Sequence, residues 1–256
     1  MNRKNINFGL IFRRAIFFGF LLLIWEFLVL MKIWPEYIFP SPMSVYKALY
    51  YGFSENSYLK AIFNSMKTIA VGYTISVVCG ITLGVLMGRI KMLDETLGCL
   101  VLGIQALPSI CWLPLSLIWF GLNENAIIFV VVMGALFSIT IGVETGVKNT
   151  PHQFVYAAKT LGSKGFSLYY RVIIPAAMPS IFSGLKQGWS FAWRSLMAGE
   201  LLFYSLSLGN LLQTGRELND VPQVMSVMLV IMFLGASVDR FVFSPILNHT
   251  RKKWGF

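Results

Sequence analysis

Apolar residues gather into six long runs separated by short polar breaks: residues 15–31, about 62–87, 97–120, 126–147, 188–208 and 225–247. Each run is near or above the roughly 17–25 residues that a helix needs to cross the hydrocarbon layer of a bilayer. The pattern predicts an all-α integral membrane protein with six transmembrane helices. Arg13 and Arg14 precede the first run, as they would a signal peptide. No small-x-small cleavage site follows it, only Lys32-Ile33-Trp34-Pro35-Glu36, so it reads as an uncleaved first span.

The polar breaks set the orientation. With the amino terminus inside, the cytoplasmic segments hold fifteen Lys and Arg, the outer segments and outer helix ends hold five, and Arg194 lies within the fifth run. Such an excess predicts that both termini and residues 148–187 are cytoplasmic, while 32–60 and 205–223 face outward. In the first outer segment, residues 44–51 form a short interfacial helix after a capping serine. The second is an outer loop with Gly209, Gly215, Arg216, Glu217 and Asp220. The chain then reads as one transmembrane domain, 1–256. It comprises a first span and outer segment (1–60), a five-span core (61–247) and a basic tail (248–256).

Composition narrows the class. Of the 256 residues, 56% are apolar and 12% charged, and mean hydropathy is +0.69. Soluble domains carry about 25% charged residues, so an ordinary soluble enzyme and a disordered chain are both excluded. A net charge of +10 would suggest nucleic acid in a soluble protein. Here the basic residues sit in the breaks, and topology accounts for them without a nucleic-acid partner. The tail Arg251-Lys252-Lys253 is expected to rest against anionic lipid. Cys79, Cys99 and Cys111 lie inside apolar runs without a CxxC pair, and are expected to be small buried hydrophobes. His152 and His249 have no ligand or catalytic constellation around them in the sequence. No Gly is followed by Lys, which excludes a phosphate-binding loop of the G-x4-G-K type, and no H-E-x-x-H or G-x-S-x-G occurs. The chain is expected to catalyse nothing and to bind no cofactor or metal.

The inner segment carries the most information. Residues 150–161 read as a capped amphipathic helix, with Thr150 as N-cap, Pro151 in the first turn and Gln153 completing a capping box. Phe154, Val155, Ala158 and Leu161 make an apolar stripe. Gly162 offers the left-handed conformation that ends a helix. Residues 163–174 then form a second short helix, ended by Pro175. Ala157 and Ala158 are small enough for another surface to approach closely.

At these residues the chain resembles the permeases of binding-protein-dependent ABC importers. Their EAA loop reads Glu-Ala-Ala, three residues, Gly, nine residues, Ile-x-Leu-Pro. This sequence has Tyr156-Ala157-Ala158, then Gly162, then Val172-Ile173-Ile174-Pro175, with Tyr156 in place of the Glu. Phe39-Pro40-Ser41-Pro42, Leu107-Pro108-Ser109 through Leu115, Trp119-Phe120-Gly121, 193–200, Leu208-Gly209-Asn210 and 235–239 resemble the nitrate/sulfonate/taurine-type branch. The resemblance implies a methionine-importer-like fold in the plasma membrane. It implies a cytoplasmic coupling loop (Tyr156, Ala157, Ala158, Leu161, Gly162, Pro175) that docks in a groove of an ABC ATPase subunit. ATP and Mg would be held by that ATPase, an extracytoplasmic solute-binding protein would deliver the solute, and a second permease copy would complete a homodimer. Relatives of this branch carry sulfonates, taurine, nitrate, bicarbonate or vitamin-related aromatics.

Candidate path residues are Pro108, Pro114, Trp193, Arg194 and Glu200. The two prolines free backbone carbonyls in mid-span, which is tolerated where protein or a watery cavity covers them; a packing kink is the other reading. A charge inside a span costs at least about 2.5 kcal/mol unless paired or hydrated, so Arg194 and Glu200 either face the path or pair with another helix. Snorkelling to the inner interface is open to Arg194 as well. Trp193 and Glu200, seven apart, share a face and line a gate or pack on the fourth span. Glu26 is expected to face a neighbour, Lys67 to snorkel outward, and Asp239 and Arg240 to anchor the interface. Two other classes fit less well. An ion-driven transporter needs paired ionisable residues at the midplane, and a non-transport scaffold leaves the prolines and the capped loop unexplained.

Overall fold

The computed structural model describes residues 8–254, except for a few side chains near the two ends. Arg3, Lys4 and the side chains of His249 and the basic tail Arg251-Lys252-Lys253 lie outside that description. The described residues are helical apart from turns, with no strand among them. Contacts divide the chain into two compact units, 1–59 with 211–230 and 60–210 with 231–256.

In the first unit, α1 (Phe8–Leu30) is followed by a turn and α2 (Pro42–Ser54). Trp25 Nε1 donates to the carbonyl of Pro40 (3.0 Å), and Trp25 and Trp34 both pack on Phe39. Ser41 caps α2, its hydroxyl accepting from the Ser44 N–H, and Pro42 opens the first turn, where its missing N–H costs nothing. The serine-capped outer helix is therefore present, and longer than expected. Tyr58 and Ser226 share a buried hydroxyl–hydroxyl hydrogen bond.

The second unit is built around α6 (Glu124–Lys148), which packs between α3 (Ser57–Arg89) and α9 (Ile174–Glu200). α6 is the most enclosed apolar helix, 56% buried against 28% for α3, which makes it the centre of the unit. Ile127, Val131, Ala135, Ile139 and Val143 recur every fourth residue and are all buried. On α3, Gly72, Gly80, Gly84 and Gly88 face Val131, Ile139, Val143 and Val147, so the branched side chains enter seams with no Cβ opposite them. Gly142 and Gly184 meet backbone to backbone: a Cβ on Gly142 would lie 2.5 Å from the Gly184 Cα. Small residues at helix contacts are how helices associate in lipid, where burying apolar surface between them gains little.

Three helices are long and apolar enough to cross a membrane: Ser57–Arg89, Glu124–Lys148 and Val221–Asn248. A fourth results if α4 (Lys91–Gln105) and residues 109–120 count as one span bent by 96°. The expected six spans are thus supported in part. Large apolar side chains such as Phe63, Val78, Ile118 and Phe233 point outward, as a lipid-facing surface requires. The cysteines belong to that surface. Cys79, Cys99 and Cys111 are exposed rather than buried, because a residue in an apolar run can meet lipid instead of its own chain.

Two π-turns correct the reading of the prolines. Gly165–Leu168 (α8), a π-turn over Tyr169–Ile173 and α9 form one continuous helical path, so Pro175 does not end a helix. A proline lacks the N–H for the bond four residues back, and its ring strikes that carbonyl. The wider turn just before it, closed by Ile174 N–H to the Tyr169 carbonyl, makes room. The same device recurs after α11 (Val221–Val238), where a π-turn over Asp239–Phe243 precedes Ser244-Pro245 at the start of α12 (Ser244–Trp254). α9 also ends earlier than the fifth run, at Glu200, and the expected outer loop contains a helix, α10 (Leu208–Glu217).

Candidate functional site

The loop between α6 and α9 is built from local hydrogen bonds. α7 (His152–Thr160) is capped by Pro151 with no side-chain bond, and the Thr150 hydroxyl donates back to the Gly146 carbonyl (3.2 Å). Thr150 is buried at the end of α6, which commits its hydroxyl there, so the capping box with Gln153 does not form. At the other end the Ser163 N–H donates to Ala158 O (2.9 Å) and the Gly162 N–H to Lys159 O (3.0 Å). These two bonds, with Gly162 at φ 84°, are a Schellman turn, which needs a residue without a Cβ penalty.

The apolar stripe does not fall where the spacing suggests. Ala158 is buried within the unit and Val155 packs partly against its core. Ala157 is exposed, and Tyr156 (66%), Leu161 (85%) and Phe166 (73%) project outward. Phe166 and Tyr170 stack in parallel, and Arg89 from the end of α3 lies 4.9 Å from the Tyr169 ring. Lys148 pairs with Asp94 and Glu144, fixing the start of the loop to α4. Pro175 is separated from the exposed set by the π-turn.

The candidate path residues separate into different settings. Pro108 sits at the bend and introduces the short turn Ser109–Trp112; it lines a small cavity of about 140 Å³ together with Phe191. Pro114 is exposed in the first turn of α5 (Leu113–Phe120), where it breaks nothing. Trp193 stacks near Trp189 and packs over Gly235, so it faces the last apolar helix and shares no site with Glu200. Arg194 is exposed, its guanidinium 5.4 Å from the Phe191 ring centre, and no carboxylate among the described residues pairs with it. Lys67 pairs with Glu124 at 3.6 Å, and Asp239 with Lys186 at 2.9 Å.

Glu200 is neither ion-paired nor open. It is 1% exposed and accepts from the Ser65 hydroxyl (2.8 Å) and the Gly209 N–H (2.9 Å), with the Ser207 hydroxyl also donating to it. Ser65 in turn accepts from the Leu208 N–H (3.0 Å). The carboxylate thus takes the Gly209 N–H directly and holds Ser65 and Ser207, whose hydroxyls accept from the Leu208 and Asn210 N–H groups. The free N–H groups that open α10 are satisfied by this cluster. A Cβ on Gly209 would lie 2.4 Å from the Glu200 Cβ, so glycine is needed for this approach. Ser65 and Ser207 are partners that sequence reasoning missed; Ser65 lies 135 residues from Glu200, and no local pattern marks it.

With its tightly packed apolar helices and exposed inter-helical loop, the chain has the build of an integral membrane transport component. It belongs to the family of binding-protein-dependent transport system inner membrane components, whose model matches residues 76–248, or 173 of the 256. That family is a membrane transport component, not an enzyme. A Methanocaldococcus jannaschii protein, whose own assignment as an ABC transporter permease is provisional, is 37% identical over 69% of this chain and 66% of its own length. The nitrate import permease protein NrtB of Synechocystis sp. is 26% identical over 71% of this chain and 66% of its own. The bicarbonate transport system permease protein CmpB of Synechococcus elongatus is 28% identical over 70% and 64%. The match thus spans slightly less than two thirds of each of these relatives. In fold, the chain is similar to the MetNI methionine ABC transporter in inward-facing conformations (TM-score 0.63, 18% identity, 75% of this chain and 95% of that one). It is also similar to an amino acid ABC transporter solved with histidines (TM-score 0.62, 17% identity, 80% and 97%).

Proposed function

We propose that this chain is the permease subunit of an ABC importer for a small oxyanion. The observation that carries the reading is the loop after α6, which presents Tyr156, Leu161 and Phe166 outward on a rigid backbone turn at the place where the family places its ATPase contact. Large apolar side chains held outward on a polar segment between apolar helices mark a protein contact. In this reading Tyr156, Ala157, Leu161 and Gly162 face the ATPase groove, and Pro175 with its π-turn joins that contact to α9. Ala158, which the family pattern would put beside them, packs inward against the unit's own core. ATP and Mg belong to the ATPase subunits. An extracytoplasmic binding protein delivers the solute, and a second copy of this chain completes the path.

The oxyanion reading draws on the names of the nitrate and bicarbonate permeases to which the chain is similar, and on an exposed Arg194 that has no carboxylate partner among the described residues. Within the plan of one permease domain (1–60, 61–247, 248–256), six spans leave both termini and the 148–187 loop in the cytoplasm. External labelling on a cysteine-free background should then modify Ser54→Cys and spare Ser163→Cys. The functional test is co-expression with the ATPase and binding protein encoded beside it. The ATPase should co-purify, and vesicles should take up nitrate or bicarbonate in an ATP-dependent way. Arg194→Gln should impair uptake with assembly intact. Failure of the wild-type chain to retain any ATPase would sink the reading.

A further inference from the structure

On α9, Ser180, Gln187, Phe191 and Arg194 follow one another at spacings of seven, four and three, positions that share one side of a helix. Two cavities open along this side. The larger, about 650 Å³, lies between α6 and α9 and reaches Gln105 at the end of α4. The smaller contains Gln105 again, together with Pro108 and Phe191. Gln105 therefore joins the two, and Phe191 carries the line on to the Arg194 guanidinium stacked over its ring. No charged side chain lines either cavity.

The lining is mixed, more apolar than polar, and part of its polar set is unengaged, although the Thr145 hydroxyl donates to Glu144. The side chains of Gln105, Ser180 and Gln187 make no hydrogen bond to another described residue, whereas the Ser183 hydroxyl donates to Pro179 O (3.0 Å). Ser138 is 4% exposed, lines the larger cavity, and its Oγ is buried without any partner. A buried hydroxyl left unsatisfied is unfavourable, and native cores seldom keep one without a use. Pro179, in the same wall, lacks the N–H that would satisfy the Pro175 carbonyl, an irregularity tolerated within a membrane where the backbone borders a cavity.

We propose that this side of α9 is the solute-contacting wall of the passage. Gln105, Ser138, Ser180 and Gln187 form a neutral hydrogen-bonding track that ends at Arg194 and recognises a small oxyanion. The proposal rests on the permease reading above and adds the residues that meet the solute. Amide and hydroxyl donors replace the water around an oxyanion, and the single guanidinium sets the sign of the charge admitted. Because the track itself is uncharged, it solvates the ion without trapping it, as conduction through successive weak sites requires.

The test uses the complete transporter, with ATPase and binding protein, in proteoliposomes with nitrate as the probe. Gln187→Glu places a negative charge on the track and should lower nitrate uptake about tenfold or more with a raised KM, while Gln187→Lys should lose less and show a lowered KM, because the added cation holds the ion. Both variants should still co-purify with the ATPase, which separates a lost passage from a lost assembly. Ser138→Ala should raise the KM for nitrate without lowering the melting temperature, since no internal partner is lost. Equal losses in the two Gln187 variants, undiminished uptake by Gln187→Glu, or an unchanged KM in Ser138→Ala would each overturn the track while leaving the permease reading intact. A wild-type transporter that moves neither nitrate, bicarbonate nor a sulfonate would overturn the oxyanion assignment itself.

Discussion

The two ends of α9 are held in opposite ways. At the Ile174 end the chain leaves the helix through a π-turn, a positive-φ glycine at Gly165 and the Schellman turn at Gly162, all closed by backbone bonds between near neighbours. Tyr156, Leu161, Phe166 and Tyr170 face outward there, while Leu168 and Ile173 are buried. At the Glu200 end a buried carboxylate gathers donors from α3, from the 201–207 turn and from α10, and Asn64 and Asn210 tie down the carbonyls of Leu206 and Phe203. A segment whose backbone turns are closed by local hydrogen bonds can shift with those bonds intact, although Arg89 over Tyr169 and the core packing of Val155 and Ala158 still tie it to the rest of the unit. A segment held through a buried carboxylate cannot move without orphaning polar groups. The two ends of α9 thus differ in what closes them, local backbone bonds at one and a buried carboxylate with distant donors at the other.

That contrast is open to attack from both sides. The largest effect is expected from Glu200→Ala, which strands three donors, each worth about 1–3 kcal/mol when buried and unmatched. In thermal unfolding of the detergent-solubilised protein the midpoint should fall by roughly 10 °C or more. Glu200→Gln keeps an acceptor and should fall much less. A wild-type midpoint for Glu200→Ala would mean that the outer end is not anchored by this group.

Gly162→Val should act on function with a modest effect on stability. A β-branched residue at φ 84° costs roughly 1–2 kcal/mol, and the strain is confined to the turn. The spans should still insert, while ATPase co-purification and substrate-stimulated hydrolysis should both drop; wild-type values for both would show that this loop transmits nothing. Leu161→Asp sharpens the point, since Leu161 is exposed and its loss should change stability by no more than about 0.5 kcal/mol. Its expected effect is weaker ATPase retention on an affinity column. The smallest effect belongs to Thr150→Ala, which removes one hydroxyl bond to Gly146 and should cost about 1 kcal/mol or less. The helicity of α7 should not change, because no side chain caps it; a measurable loss of α7 would restore Thr150 as its cap.

Features governed by short-range chemistry were legible in the residues. Apolar runs marked the helices, Gly162 marked a left-handed turn, and the serine before Pro42 marked the start of α2. What escaped was set by partners distant in the sequence or by competition for one group. Thr150 has the composition of a cap, yet burial against α6 claims its hydroxyl. Pro175 has the composition of a terminator, yet the five-residue π-turn over Tyr169–Ile173 absorbs the clash. Glu200 looked like a path charge because nothing local announced Ser65, and Trp193 looked like its companion because spacing along a helix says nothing about which neighbour each face meets. Apolar periodicity also could not tell lipid from protein, which is why the cysteines were misplaced.

The π-turn over Tyr169–Ile173 has a further consequence in angular terms. Each residue of an α-helix advances the chain by about 100° around its axis, so one residue more or fewer in that stretch rotates everything before it relative to α9. The outward bearing of Leu161 and Phe166 is thus written into the chain as a residue count. Deleting one residue between Tyr169 and Ile173 would swing the loop by about a quarter-turn or more around α9. Pro175 guards the count. In a helix tightened to regular α geometry its ring would press on the carbonyl four residues back at a cost of about 3 kcal/mol, which biases the chain toward the wider turn and so toward one bearing.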